Sequence, residues 1–204
     1  MTAEELFAKF AAQFPKVQKA SVEVKGYATL RLNSTAELLP VVEWLKGLGF
    51  TYLDIVTAAD YKGPIDVKGF VMDPNPNAFL PEGATPQIEA PTATPNYPYR
   101  DAFELVYCLS YLQERIKVFL KLDLPRDGAK APSLAGLFEA ADWQERETFD
   151  LYGIRFDGHP NLSKILTPDF ISGHPLRKDY HHIKDRYDEE GECAPPPAPA
   201  PSQP

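Results

Sequence analysis

Apolar side chains at Leu6, Phe7, Phe10 and Phe14 recur at helical spacing behind a Thr2/Glu5 capping box and stop at Pro15, which predicts a short amphipathic helix. The rhythm then changes to alternation over 20–25 and 27–32, on either side of Gly26, as expected of paired or bulged strands. A second capping box, Ser34 with Glu37, opens a helix through Leu38, Val41, Val42, Trp44 and Leu45 that ends at Gly47 or Gly49. Pro40 removes a backbone donor near its start, so early bending is expected. Strands are predicted over 50–56, 102–112 and 115–122, the last two rich in Tyr, Val and Phe.

Between 62 and 99 the pattern collapses into a segment with eight prolines and no sustained period. Such a stretch inside a domain is an insert that runs over a surface as a binding segment or a passive embellishment. Past Pro132, Ser133 is placed to cap a brief helix over 134–140. A third capping box, Asp142 with Glu145, is expected to launch a helix over 143–152 that Gly153 terminates. Turns follow at Pro160, Pro168 and Pro175, and the last residues are mostly Pro and Ala, a composition of disorder. The fold class expected is α+β: a mixed or antiparallel sheet packed against a few helices over 1–157, an extended arm over 158–190 and a disordered tail over 191–204.

Composition narrows the function. With 21 basic and 29 acidic residues in a chain of 204, the net charge of -8 argues against nucleic acid or anionic lipid as the main partner. Cys108 and Cys193 are too few for a disulfide framework or a cysteine-held cluster. The N-terminus does not read as a transit or signal peptide, and no window reaches the roughly 20 apolar residues of a membrane span.

Candidate chemistry is concentrated between Trp143 and Tyr180. Arg146 and Asp150 stand four apart on the expected helix, while Trp143 and Glu147 share another stripe. Glu145, Glu147 and Asp150 beside an arginine form the one acid/base set, yet charges at that spacing are ordinarily solvated pairs worth under about 1 kcal/mol. His159, His174, His181 and His182 lack the spacing of a compact metal motif and read as surface turn residues. Nucleophile, phosphate-cradle and dinucleotide signatures are absent. Two Gly-His-Pro turns, 158–160 and 173–175, each pair a permissive glycine with a histidine held toward extended geometry by the next proline. After the second, Leu176, Arg177, Lys178, Asp179 and Tyr180 make a compact charged knob suited to docking on an acidic neighbour.

These residues carry a resemblance. Trp143, Glu145-Arg146-Glu147, Asp150, Gly153-Ile154, Phe156, Gly158-His159-Pro160, Leu162, Ile165-Leu166 and Gly173-His174-Pro175-Leu176-Arg177-Lys178-Asp179-Tyr180 resemble the signature of the 30 kDa subunit, or C-subunit, of respiratory NADH:quinone oxidoreductase. Looser similarity appears over 52–61 and 103–109. The resemblance implies a non-catalytic structural subunit of the peripheral arm, which braces and assembles the quinone-reducing module of a proton-pumping complex. It implies no cofactor on this chain, the flavin and iron-sulfur clusters being on other subunits. The 49 kDa subunit, or D-subunit, is the implied partner under the arm, with iron-sulfur subunits I and B beside it. The implied partner-binding residues are Trp143, Glu145, Arg146, Glu147, Asp150, His159, Pro160, His174, Pro175, Leu176, Arg177, Lys178, Asp179 and Tyr180. The implied location is peripheral, on the cytoplasmic side of a bacterial inner membrane, or the matrix side for an organelle-encoded chain.

Two rivals remain open at this level. One is the equivalent subunit of a related complex with another electron donor, such as ferredoxin or a reduced deazaflavin, or of a membrane-bound hydrogenase; the other is a stand-alone hydrolase using Glu145, Glu147 or Asp150. The 62–99 insert, His181 where the family usually has proline, and the Pro/Ala tail all depart from the resemblance.

Overall fold

The strands that alternate most regularly in sequence form the centre of the sheet. In a computed structural model, which describes residues 3–20, 27–63 and 98–180, β4 (Ala102–Tyr111) and β5 (Ile116–Pro125) pair antiparallel along their whole length. The expected cap at Thr2, most of the strand over 20–25, nearly all of the 62–99 insert and everything after Tyr180 lie outside the described residues. On β5, Val118, Leu120, Leu122 and Leu124 are buried, and Lys117, Lys121 and Asp123 occupy the opposite face, as the two-residue period of a strand requires.

β2 (Ala28–Leu32) lies parallel to the outer side of β5 and carries the two-residue β1 (Gln18–Lys19) on its own far edge. β3 (Tyr52–Asp60) runs antiparallel to β4, giving the order β1-β2-β5-β4-β3. Helix α1 (Ala3–Gln13) supplies buried Leu6 and Phe10 to one face of this mixed sheet, and α2 (Leu38–Gly47) supplies Leu38, Val41, Val42 and Leu45. Phe10 and Phe14 close on Trp44 with ring centroids 4.6 and 5.7 Å away. Each fully buried Leu or Phe of this core contributes about 1.5–3 kcal/mol relative to exposure. The architecture is the expected α+β domain.

Local departures have identifiable causes. The Ser34 hydroxyl accepts from Ala36 N–H and Glu37 reaches back to Asn33 N–H, but the turn they cap is a 3-10 segment, Thr35–Glu37, and α2 begins only after it. Pro40 falls in the first turn of α2, where a missing donor costs least. The expected helix over 134–140 is a turn, closed by Leu137 and Phe138 N–H on Leu134 C=O. Helix α3 (Glu139–Tyr152) starts four residues earlier than the expected Trp143, with Phe138 at the N-cap and no side-chain cap. Gly153 ends it in the left-handed conformation, φ 77°, as expected. Two short strands not anticipated, β6 (Lys130–Pro132) and β7 (Arg155–Asp157), pair parallel beside α3.

The position of α3 is set by hydrogen bonds to β3, the edge strand. The Gln144 side chain accepts from Val56 N–H and donates to Asp54 C=O at 3.3 Å, and the Thr148 hydroxyl lies 3.4 Å from Val56 C=O. One amide side chain thus stands in for a neighbouring strand and satisfies an edge that would otherwise template pairing with another chain. Gln144→Ala is expected to cost about 1–2 kcal/mol in urea denaturation and to increase light scattering on storage; an unchanged midpoint would show that water replaces the amide without loss.

Candidate partner interface

Two carboxylates, Asp150 on α3 and Asp60 at the end of β3, fix the course of the chain after β7, and a third, Glu145, ties α3 to the turn before it. Residues 158–180, called the strap below, return across α3 instead of leaving the domain. Gly158 and Gly173 open the two Gly-His-Pro turns with φ 86° and 88°, the conformation that the glycines were expected to permit.

Asp150, fully buried, is the main anchor. One carboxylate oxygen accepts from the N–H groups of Ile165, Leu166 and Thr167 at 3.0, 2.8 and 2.9 Å, and the other accepts from the Thr167 hydroxyl. Burial by itself would raise this carboxyl, but the Thr167 hydroxyl and the three amides outweigh it and hold it below the ordinary 3.8. The expected Arg146–Asp150 pair is therefore not made. Arg146 instead donates to Ser163 C=O at 3.1 Å and Ser163 Oγ at 3.0 Å, with its guanidinium 5.0 Å over Trp143.

Farther along, His174 Nδ1 donates to Asp150 C=O at 2.8 Å and Leu176 N–H to Leu151 C=O at 3.0 Å. The His174 ring lies against Phe149 and over Gly153, where a Cβ would come within 2.5 Å of it. No other residue fits at Gly153. The helix stop legible in the sequence is thus also the seat of the second Gly-His-Pro histidine.

A clasp closes the far end. Asp60, at the end of β3, accepts from Lys178 N–H at 2.8 Å and from Arg126, whose Nη2 is 2.6 Å from Asp179. Arg126 and Arg177 both stand over the Phe103 ring, 5.0 and 5.2 Å from its centroid. Burial pushes the Asp179 carboxyl up, but hydrogen bonds and charge from Arg126 and Arg177 dominate and hold it far below the usual carboxylate range.

The third carboxylate, Glu145, is fully buried and accepts from Ser133 Oγ at 2.6 Å and Leu134 N–H at 2.7 Å. Burial raises its carboxyl above the ordinary 4.5 despite those two donors. His159 is also inside, its side chain 0% exposed, contrary to the surface placement expected of both Gly-His-Pro histidines. Glu145 and Asp150 are both fully buried, each committed to hydroxyl and amide donors of the chain. Glu147 is exposed.

The outward side of α3 and the strap carries Trp143, Leu166, Phe170 and Leu176, each about half exposed or more at 63, 58, 55 and 48%. Pro160 and the Lys178 side chain are exposed as well, while Pro175, Arg177 and Tyr180 are half-buried. Sequence reasoning did not single out Phe170 and gave Leu166 no role; their signal was a pair of large apolar residues in a segment too turn-rich to build a core. Also missed was Glu104, 4% exposed on the sheet face away from the helices, which pairs with Arg31, Arg100 and Lys121 and accepts from Tyr61. Cys108, farther along β4, is chemically quiet, its thiol pushed up to about 12 by burial and by Asp54.

Residues 33–186 match the family described as the respiratory-chain NADH dehydrogenase 30 Kd subunit. The chain is 48% identical over 99 residues to the NADH-quinone oxidoreductase C-subunit of Caulobacter sp. (strain K31), covering 47% of this chain and 46% of that protein. It is 47% identical over 107 residues to the NAD(P)H-quinone oxidoreductase J-subunit of Synechococcus sp. (strain CC9605), 50% of this chain and 48% of that one. Each match thus takes in about half the length of the relative. A trypsin-resistant fragment of Nqo5 shares the fold, with TM-score 0.51 and 21% identity over 79% of this chain and all of the fragment. So does a chain of the archaeal membrane-bound sulfane sulfur reductase, with TM-score 0.57 and 20% identity over 92 and 95% of the two chains. The matched span runs from before α2 through the Arg126 clasp, α3 and both Gly-His-Pro turns, and the chain belongs to the family of the 30 Kd subunit of respiratory-chain NADH dehydrogenase.

Proposed function

We propose that this chain is a non-catalytic structural subunit of the peripheral arm of NADH:quinone oxidoreductase, where it braces and helps assemble the quinone-reducing module. The observation that carries this reading is the division of labour in the strap. Its amides at Ile165, Leu166, Thr167, Leu176 and Lys178 are taken by Asp150, Leu151 C=O and Asp60, which leaves the side chains of Trp143, Leu166, Phe170, Leu176 and Lys178 exposed on a segment tied down to α3 and β3. Exposed apolar side chains on backbone already held in place suit a permanent interface, since less ordering entropy is left to lose on docking.

In this reading 1–157 is the folded support, 158–190 the partner-facing arm and 191–204 a tail. The 49 kDa subunit lies over the strap, with the iron-sulfur subunits I and B adjacent. A Methylococcus capsulatus relative, 47% identical over 79 residues, bears the double designation C/D in its name, which supports the pairing of the 30 kDa with the 49 kDa subunit. Flavin and iron-sulfur clusters belong to the other subunits. No helix among the described residues is long and apolar enough to cross a membrane, and attachment to the cytoplasmic face of the inner membrane is through the complex.

The test is made in the intact membrane complex. Phe170→Ala/Lys178→Ala removes two outward side chains without touching Asp150 or Arg126, and is expected to reduce co-purification of the 49 kDa subunit and NADH:quinone reductase activity together. Wild-type assembly and activity in that variant would overturn the docking claim.

A further inference from the structure

The hairpin between β4 and β5 closes on a residue that its geometry disfavours. Tyr111 pairs with Ile116, Arg115 N–H donates to Leu112 C=O at 3.3 Å, and Arg115 itself has φ 55°. It is the one non-glycine at positive φ among the described residues, in a conformation that its Cβ makes costly and that glycine adopts freely. The arginine gains no partner at home for that strain: its side chain is exposed and makes no hydrogen bond or ion pair among the described residues. Strain of this kind concentrates where a side chain is used.

Large apolar side chains stand around it. Tyr52 pairs with Ser110 and Ile55 with Cys108, on the sheet face away from the helices, and the two are 51 and 42% exposed. Leu112, at the hairpin tip, is 60% exposed. Trp143 joins this corner to the apolar side chains of the strap. With about 100° between successive helical residues, Gln144 and Thr148 of α3 turn to β3, where they meet Asp54 and Val56, while Arg146 and Asp150 turn to the strap. Trp143 and Glu147 fall between those two directions, on the outward side, and Trp143 directly precedes the glutamine that holds the first half of β3.

We propose that the β4–β5 tip and the start of β3 form a second docking surface for the partner chain that the strap receives, with Tyr52, Ile55 and Leu112 on an apolar patch of that chain and Arg115 on one of its carboxylates. The inference rests on the reading of the strap as an interface. Continuity argues for a single occupant, because a chain seated on Leu166, Phe170 and Trp143 needs only to round the edge of β3 to reach Ile55. Size argues for it too: the outward side chains of the strap are few beside the roughly 20–30 residues a side of a stable protein contact. Gln144 already occupies the backbone edge of β3, so the partner is met by side chains and not by an added strand. Tyr and Arg are the residue types that most often dominate such contacts, and a guanidinium matches a carboxylate with two parallel hydrogen bonds.

The experiment sets the isolated full chain beside the intact membrane complex. Arg115→Gly supplies the residue that the turn prefers, so the urea midpoint of the isolated chain is expected to hold or rise. Recovery of the partner with the tagged subunit from solubilised membranes is expected to fall about fivefold or more in the same variant. Tyr52→Thr/Leu112→Ser changes two exposed side chains and should lower recovery as much with the midpoint unmoved. A midpoint that drops in Arg115→Gly would show that the arginine serves its own fold, and would overturn the proposal. Wild-type recovery in both variants while Phe170→Ala/Lys178→Ala loses the partner would overturn it and leave the strap reading standing; wild-type recovery in all three would remove both. Concentration-dependent dimerisation of the isolated wild-type chain that Arg115→Gly abolishes would give the corner to a second copy and overturn it as well.

Discussion

Asp150→Ala is expected to release the strap while leaving the sheet folded. The substitution removes the acceptor for three consecutive amides and a hydroxyl, and with hydrogen bonds to a charged acceptor worth about 1.5–3 kcal/mol each when partly buried, a loss of about 3 kcal/mol or more is expected in chemical denaturation. Limited proteolysis should then cut between Asn161 and Ser172, a region expected to resist cleavage in the wild type. Asp150→Asn keeps one oxygen and should be milder. Because the folded-state carboxyl is held below its ordinary 3.8, its contribution is present above that value and disappears only as pH falls through the lower, folded one. The strap of the wild type should therefore outlast the protonation of exposed carboxylates, and that acid limb should be absent in Asp150→Asn. A protease pattern in Asp150→Ala identical to the wild type would show that the strap is held elsewhere.

The second large effect is expected at Arg126. Its side chain is 5% exposed and bridges Asp60, 1% exposed, to Asp179. Arg126→Met keeps much of the packing over Phe103 but leaves the Asp60 carboxylate buried without a cation, a change that costs about 3–5 kcal/mol when one partner of an enclosed pair is removed. Lys62 and Lys178 N–H still donate to Asp60, so the lower end of that range is expected. Arg126→Met/Asp60→Asn, in which no charge is stranded, should be less destabilised than Arg126→Met alone, as read from the two urea midpoints. Simple addition of the two losses would mean that Asp60 and Arg126 act independently.

What was legible in the sequence was whatever depended on neighbours along the chain. The alternation of β4 and β5, the apolar stripe of α2 and the glycine stop after Tyr152 are local patterns, and they appear where they were expected. β3 continues to Asp60, past the expected end at Val56, because Thr57, Ala58, Ala59 and Asp60, poor strand formers as a group, are held by pairing with 103–106. β6 and β7 have three residues each and are brought together from either side of α3, too short for any period to show. The capping box at Asp142 and Glu145 misled for an instructive reason: both acids do accept or face donors, but from His159, Ser133 and Leu134 rather than from their own helix terminus. Likewise Asp150 looked like half of a surface ion pair because its true partners stand 15 to 17 residues away. Charge density drew attention to this segment and could not say which of its charges point inward.

The closure of β3 against β4 has one more consequence. Tyr61 N–H donates to Ala102 C=O at 3.1 Å and Arg100 N–H to Tyr61 C=O at 2.9 Å, so the ladder is already zipped at the point where the proline-rich segment departs and returns. Arg100 also stacks on the Tyr61 ring, 3.7 Å from its centroid, and locks the same junction from the side-chain level. With the stem closed, the length of the connection matters little: doubling it adds only about 0.6 kcal/mol of closure entropy. Insertions can accumulate there almost freely, and a lineage can lengthen or trim this part of the molecule without renegotiating the fold that carries the strap.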